Sequence, residues 1–123
     1  MTDDIGRVVL IAEDEIFIKA AKRIIPELEG ICYGGVYAKN IIDKKTGKLV
    51  ILNPEDRAIC FGLEGRWKHV FAVMNDPAKM ILYSSDGEML SEAEKMSVRA
   101  ISKNPSTFAM DLKEMYHYLR QQK

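Results

Sequence analysis

The run Val8-Val-Leu-Ile-Ala12 is five apolar residues that stop dead at three acids, Glu13-Asp14-Glu15. A run this short and this uniformly apolar suits a strand covered on both faces, and such strands belong to parallel sheets flanked by helices. Behind the acids, Phe17, Ala20, Ala21, Ile24 and Leu28 recur at helical spacing, with Lys19, Lys22 and Arg23 outside the stripe. Pro26 predicts that this helix stops or kinks near Ile25. The pairing of an apolar run with an amphipathic helix is the unit from which the rest of the chain is read.

That unit recurs along the sequence. Residues 29–33 read as a second strand, Gly34-Gly35 as a turn, and 37–43 as a short helix. Lys44-Lys45-Thr46-Gly47 reads as a turn, because no upstream glycine gives it the spacing of a phosphate loop. The third strand is predicted at Lys48-Leu-Val-Ile-Leu-Asn53. Cys60, Leu63, Trp67, Val70, Phe71 and Met74 then suggest a helix, interrupted by Gly62 and Gly65 and closed by Asn75-Asp76-Pro77. Within it, Arg66-Trp67-Lys68-His69 reads as a helix segment with its Trp packed inwards, not as a nucleic-acid patch. Residues 80–85 form the fourth strand, and Asp86 can cap a helix carrying Met89, Leu90, Ala93 and Met96. Val98-Arg-Ala-Ile-Ser-Lys103 is the fifth strand. Asn104 with Pro105 opens a last helix whose stripe is Phe108, Leu112, Met115 and Leu119.

Five strands alternating with helices imply a single α/β domain over residues 1–123, with a doubly wound five-stranded parallel sheet between two helical layers. In that architecture ligands meet the carboxyl ends of the strands. Composition narrows the partners. The 18 basic and 18 acidic residues cancel, so there is no global field for nucleic acid or an anionic membrane. No stretch approaches the roughly 18 apolar residues of a membrane span. The acidic start, Met1-Thr2-Asp3-Asp4, lacks a signal-peptide layout. Cys32 and Cys60 fit no metal or redox spacing and read as buried thiols of a reducing cytosol.

The predicted strand ends carry a chemically coherent set. The first supplies Glu13 and Asp14, the third Asn53, the fourth Ser84 and the fifth Lys103. Paired acids offer oxygen to a hard cation, and a hydroxyl with an ammonium can hold phosphoryl oxygens. On these residues the chain resembles the response-regulator receiver domains (CheY-like, flavodoxin-like in fold) of two-component signalling. Val8 to Glu15 resembles the family's first strand and acidic pair, and Leu49-Val-Ile-Leu-Asn53 its phosphoacceptor strand. Ile81-Leu-Tyr-Ser-Ser85 is similar to the hydroxyl-bearing strand, and Ala100-Ile-Ser-Lys103 to the lysine-bearing one.

The resemblance implies strand order 2-1-3-4-5 and a phosphorelay role. The module would dock a histidine kinase, a phosphotransfer protein or a downstream target in the cytoplasm, without being an enzyme, and a homodimer stays open. It also implies a weak Mg²⁺ site made by Glu13, Asp14, Asn53 and the backbone carbonyl of Glu55. Three departures accompany it. Asparagine at 53 is not a nucleophile towards phosphohistidine, whether it marks a natural pseudo-receiver or an Asp-to-Asn variant. Asn104 separates the lysine from Pro105, and Ala100 stands where the family has an aromatic switch. Asp56 is the nearest substitute acceptor. The competing reading is a small-ligand or cofactor-binding protein or enzyme on the same fold, although Glu13-Asp14-Glu15 would repel a bare phosphate. An adaptor domain with no site is a third.

Overall fold

In the computed structural model, which describes residues 6–121, the chain forms a mixed α/β domain with seven strands in one sheet and four helices. The strands are β1 (Val8–Ala12), β2 (Glu29–Tyr37), β3 (Asn40–Asp43), β4 (Leu49–Val50), β5 (Arg57–Phe61), β6 (Met80–Ser84) and β7 (Arg99–Ser102). The helices are α1 (Glu15–Ile24), α2 (Trp67–Met74), α3 (Gly87–Lys95) and α4 (Phe108–Gln121). The acidic start and the last two residues lie outside the described part.

The sheet runs β4-β3-β2-β1-β5-β6-β7. Five strands, in the order β2-β1-β5-β6-β7, are mutually parallel. An antiparallel hairpin, β3 and β4, extends the sheet beyond β2. The apolar-run argument holds most strictly at the centre, where every residue of β1, β5 and β6 is buried. Alternation along β1 divides the core. Val8, Leu10 and Ala12 meet Ile18, Ala21, Leu112 and Met115 of α1 and α4. Val9 and Ile11 share the other face with Trp67, Val70, Met89 and Ala93 of α2 and α3.

Five expectations are corrected. The sheet has seven strands and not five, and β3 and β4 join it through antiparallel pairing. Residues 37–43 form the turn and second arm of a hairpin instead of a helix, because Val36, Ile41 and Ile42 favour extended backbone. The hairpin forms even though it forces Ala38 to φ 56°. Gly34-Gly35 lies inside β2 at a bulge, not in a turn. Most consequentially, the third parallel strand is Arg57–Phe61, and the apolar run after Lys48 pairs only over Leu49–Val50 at the sheet edge. Cys60 therefore belongs to a strand, and the Trp67 helix begins after Gly62 and Gly65, where the weak helix formers sit.

What fixes β5 beside β1 is a buried carboxylate at their amino ends. Asp56 is 1% exposed. It accepts the Arg7 backbone N–H at 2.9 Å, the Arg7 guanidinium at 2.8 Å and the Asn53 N–H at 2.8 Å. A Cβ on Gly6 would fall 2.3 Å from Asp56 Oδ1, so only glycine lets the chain pass this close. Burial works to raise the Asp56 pKa, but the hydrogen bonds and charge of Arg7 together with the Asn53 N–H prevail and hold it below the ordinary value. A carboxylate with a lowered folded-state pKa stabilises the fold above the ordinary carboxylate range and loses that contribution as pH falls through it. Asp56→Asn is therefore expected to cost about 1–3 kcal/mol at pH 7, because it removes the charge facing Arg7, which keeps Glu29 and the Ile51 carbonyl, and replaces one acceptor oxygen by an NH2 group among N–H donors. By urea unfolding, the gap between parent and variant should shrink on going from pH 7 to pH 3.

The left-handed Ala38 gives a second expectation. Ala38→Gly removes a Cβ penalty of about 1 kcal/mol at an exposed turn, so it should raise Tm by roughly 2–5 °C in a thermal melt.

Candidate functional site

The carboxyl ends of β1, β5, β6 and β7 open into a cleft of 880 Å³. Four of the expected residues line it: Glu13, Asp14, Ser84 and Lys103. Asn53 and Glu55 do not. They sit in the loop that enters β5, at the opposite edge of the sheet. There the Glu55 carbonyl, expected to face a metal, accepts the Gly6 N–H at 2.9 Å and the Arg57 guanidinium at 2.6 Å. The five residues of β5 lie between the two edges, about 16 Å of extended chain. The residues that do stand at the carboxyl end of β5 are Phe61 and Gly62, so the place expected for Asn53 holds an aromatic ring. Asp56, considered as a substitute acceptor, is the buried partner of Arg7 at the amino edge of the sheet.

Four of the five acids that line the cleft, all but Glu64, already have an occupation. Asp14 caps α1, accepting the Ile16 N–H at 2.9 Å, and Asp86 caps α3 through the N–H groups of Glu88 and Met89. Glu13 is ion-paired with Arg66, and its carbonyl accepts the Cys32 thiol at 3.3 Å. Glu15 pairs with Lys45, whose hydrogen bond lowers the Glu15 pKa. Ser84 is buried and its Oγ accepts the Asp86 N–H at 3.0 Å. These contacts disperse the acidic pair into separate local roles.

Lys103 is placed by its backbone, which donates to the Ser84 carbonyl at 2.9 Å. Its ammonium lies 5.1 Å from the Phe17 ring centre and 5.2 Å from that of Phe61. The two rings stack at 4.4 Å, so the cation rests on a paired aromatic surface instead of a carboxylate. Such contacts contribute about 0.5–2 kcal/mol. Beneath them, the Tyr83 hydroxyl donates to Asp111 at 2.8 Å, as does that of Thr107. Burial, then the bond to Asp111, pushes the Tyr83 pKa up to about 12. Both cysteines are free and buried, and burial drives Cys60 to about 12 as well.

The residues do not fit the Mg²⁺ set that the resemblance implied. Glu13 is neutralised by Arg66, Asp14 spends an oxygen on its helix, and the other two expected ligands are at the far edge. Among the described residues no three His, Cys, Asp or Glu side chains are grouped to hold an ion.

Two features of the cleft escaped sequence reasoning. One is Arg66, which pairs with Glu13 of the cleft and which the sequence offers only as part of an aromatic-basic helix segment. The other is the backbone that delivers it. Gly62, Leu63 and Glu64 take φ of 78°, 62° and 49°, three successive left-handed residues directly after β5. Leu63 is buried and cannot be replaced by glycine without emptying its core position. Only Gly62 carries a signal for this turn, and in the sequence it reads as a weakness in a helix. Among the described residues there is no cis peptide, and no helix is long and apolar enough to cross a membrane.

Compared with family models, with curated proteins and with solved structures, the chain matches none.

A matched pair of glycines tests the left-handed turn. A Cβ added at Gly62 or at Gly65 meets nothing within 4 Å, but only Gly62 has positive φ. Gly62→Ala should therefore cost about 1–2 kcal/mol from backbone strain alone. Gly65→Ala should be neutral or stabilising by up to about 1 kcal/mol. Urea midpoints of the two variants check both signs.

Proposed function

We propose that the chain is a receiver-type signalling module that works by docking and not by phosphoryl transfer. The observation that supports this reading is the order of its parallel strands, β2-β1-β5-β6-β7, with Glu13, Asp14, Ser84 and Lys103 at one carboxyl edge and Phe61 where an acceptor carboxylate would stand. The whole sheet departs from the 2-1-3-4-5 order that the resemblance implied, through the added β3–β4 hairpin and a different third parallel strand, and the reading is supported only by the doubly wound arrangement of the parallel strands among themselves. The chemistry of the edge argues against transfer. Asp14 and Asp86 cap helices, Glu13 and Glu15 are ion-paired, and the lysine that would steady a phosphoryl group is held on two phenyl rings.

In this reading the partner is a histidine kinase, a phosphotransfer protein or a downstream protein target in the cytosol. Recognition rests on the shape and charge of the cleft rim, and catalysis by the module itself is not required. Whether Asn53 is natural or introduced ceases to matter for the cleft, because an aspartate there would stand beside Asp56 and far from Asp14.

The test uses parent and Asn53→Asp, each incubated with Mg²⁺ and acetyl phosphate and read by intact mass. Neither should gain a phosphate, and Mg²⁺ should leave the melting temperature of both unchanged within about 1 °C. A phosphate on the parent would overturn docking without transfer. A phosphate on residue 53 of the variant would overturn the separation of that residue from the cleft. For the partner, affinity capture from the native cytosol should enrich a histidine kinase, a phosphotransfer protein or one defined target. Recovery of a bound flavin by absorbance would favour the competing cofactor-binding reading.

A further inference from the structure

A second concavity, of 670 Å³, lies on the face of α2, between that helix and the β2–β3 hairpin. It exists because α2 packs chiefly on β5 and β6, while the hairpin carries the sheet beyond it. The bulge in β2 deepens the gap. Gly34 and Gly35 bring no side chains to it, and Gly35 at φ 133° holds a backbone shape that other residues avoid. The opposite wall is Ala72 and Val73 of α2, with Val36 at one end.

We propose that this groove binds a small aromatic carboxylate, with the ring on the glycine shelf against Val36, Ala72 and Val73 and the carboxylate between Arg66 and Lys39. Volume is the first argument, since 670 Å³ falls within the range of sites for small molecules. Charge is the second. In a chain with equal numbers of acids and bases, the groove is lined by Arg66, Lys39 and His69 and by no carboxylate. Lys39 takes part in no hydrogen bond or ion pair among the described residues, so its ammonium is available. Arg66 pairs with Glu13 on one side and lies 5.5 Å over the Tyr33 ring on the other. A guanidinium has five N–H donors, so it can keep Glu13 and still meet a ligand carboxylate. The floor adds direction, because the Tyr33 hydroxyl and His69 Nδ1 are joined at 3.3 Å and leave the apolar wall free of competing charge.

This proposal does not rest on the docking reading, because the groove and the cleft have no lining residue in common and are linked only by the ion pair of Arg66 with Glu13. The probe is 1-naphthoate, titrated into the full chain and followed by amide and methyl NMR. Saturable shifts are expected at Gly34, Gly35, Ala72 and Val73. The neutral analogue 1-naphthalenemethanol should bind at least tenfold more weakly. Arg66→Gln and, independently, Lys39→Gln should bring naphthoate down towards the alcohol, while the remote Lys113→Gln should leave it unchanged. Lys39 is exposed in the hairpin turn, so its variant keeps the test valid even if Arg66→Gln disturbs the turn after β5. Equal affinity for acid and alcohol, no saturable shift at these residues, or shifts centred on Phe17 and Lys103 would each overturn the proposal.

Discussion

The register of β1 against β5 decides what stands at either edge of the sheet. Ala12 is opposite Phe61, and Val8 opposite Arg57. Slide that pairing by one residue and every side chain of a fully buried strand changes face. The Asp56–Arg7 contact is what makes the register definite, because a buried carboxylate with three donors has one low-energy position. Gly6 is the steric condition for that contact. The two ends of the sheet thus divide the labour. The amino edge carries a paired, buried charge that holds the strands in place, and the carboxyl edge carries the open cleft.

At the carboxyl edge, charges that could act together have been separated. Two aspartates stabilise the first turns of α1 and α3, two glutamates are taken by Arg66 and Lys45, and the lysine rests on aromatic rings. A reactive centre needs these groups to converge on one atom, as paired carboxylates do around a metal. Here each of these groups has its own local partner, so they do not converge on one atom. Dispersed charge suits recognition of a surface, and that is why docking is the function proposed. The turn from Gly62 to Glu64 belongs to the same design. Its left-handed backbone stores strain on the order of 1–2 kcal/mol per non-glycine residue, and the strained segment leads into Arg66, which joins the cleft to the neighbouring groove.

Much of this fold was legible in the sequence, and the legible parts share a cause. β1, α1 with its stop at Pro26, β6, α3 under Asp86 and the Asn104-Pro105 entry to the last helix are all set by neighbours in the chain. Local signals of capping and periodicity suffice for them. The failures lie where distant contacts decide. Val50 to Leu52 is as apolar as any strand, yet the central place went to Arg57–Phe61, because Asp56 finds Arg7 and a short run beside the Pro54 loop has no periodicity to announce it. Cys60 fitted a helical stripe through Trp67 equally well. The hairpin was hidden by Ala38 and Leu63 by its own type, since neither residue advertises a left-handed backbone. Glu13, Asp14, Ser84 and Lys103 line one cleft because they directly follow or end strands that local signals mark. Asn53 and Glu55 were misplaced together with the strand they were attached to.

The most direct test of the account is therefore the neighbour of β1 in solution. In a ¹⁵N,¹³C-labelled sample, nuclear Overhauser contacts should link Leu10 and Ile11 to Ile59 and Cys60 across a parallel pair, and Gly6 to Glu55 and Asp56 at the amino edge. Contacts from Leu10 and Ile11 to Ile51 and Leu52 would contradict it. They would return Asn53 to the side of Asp14 and remove Phe61 from the cleft.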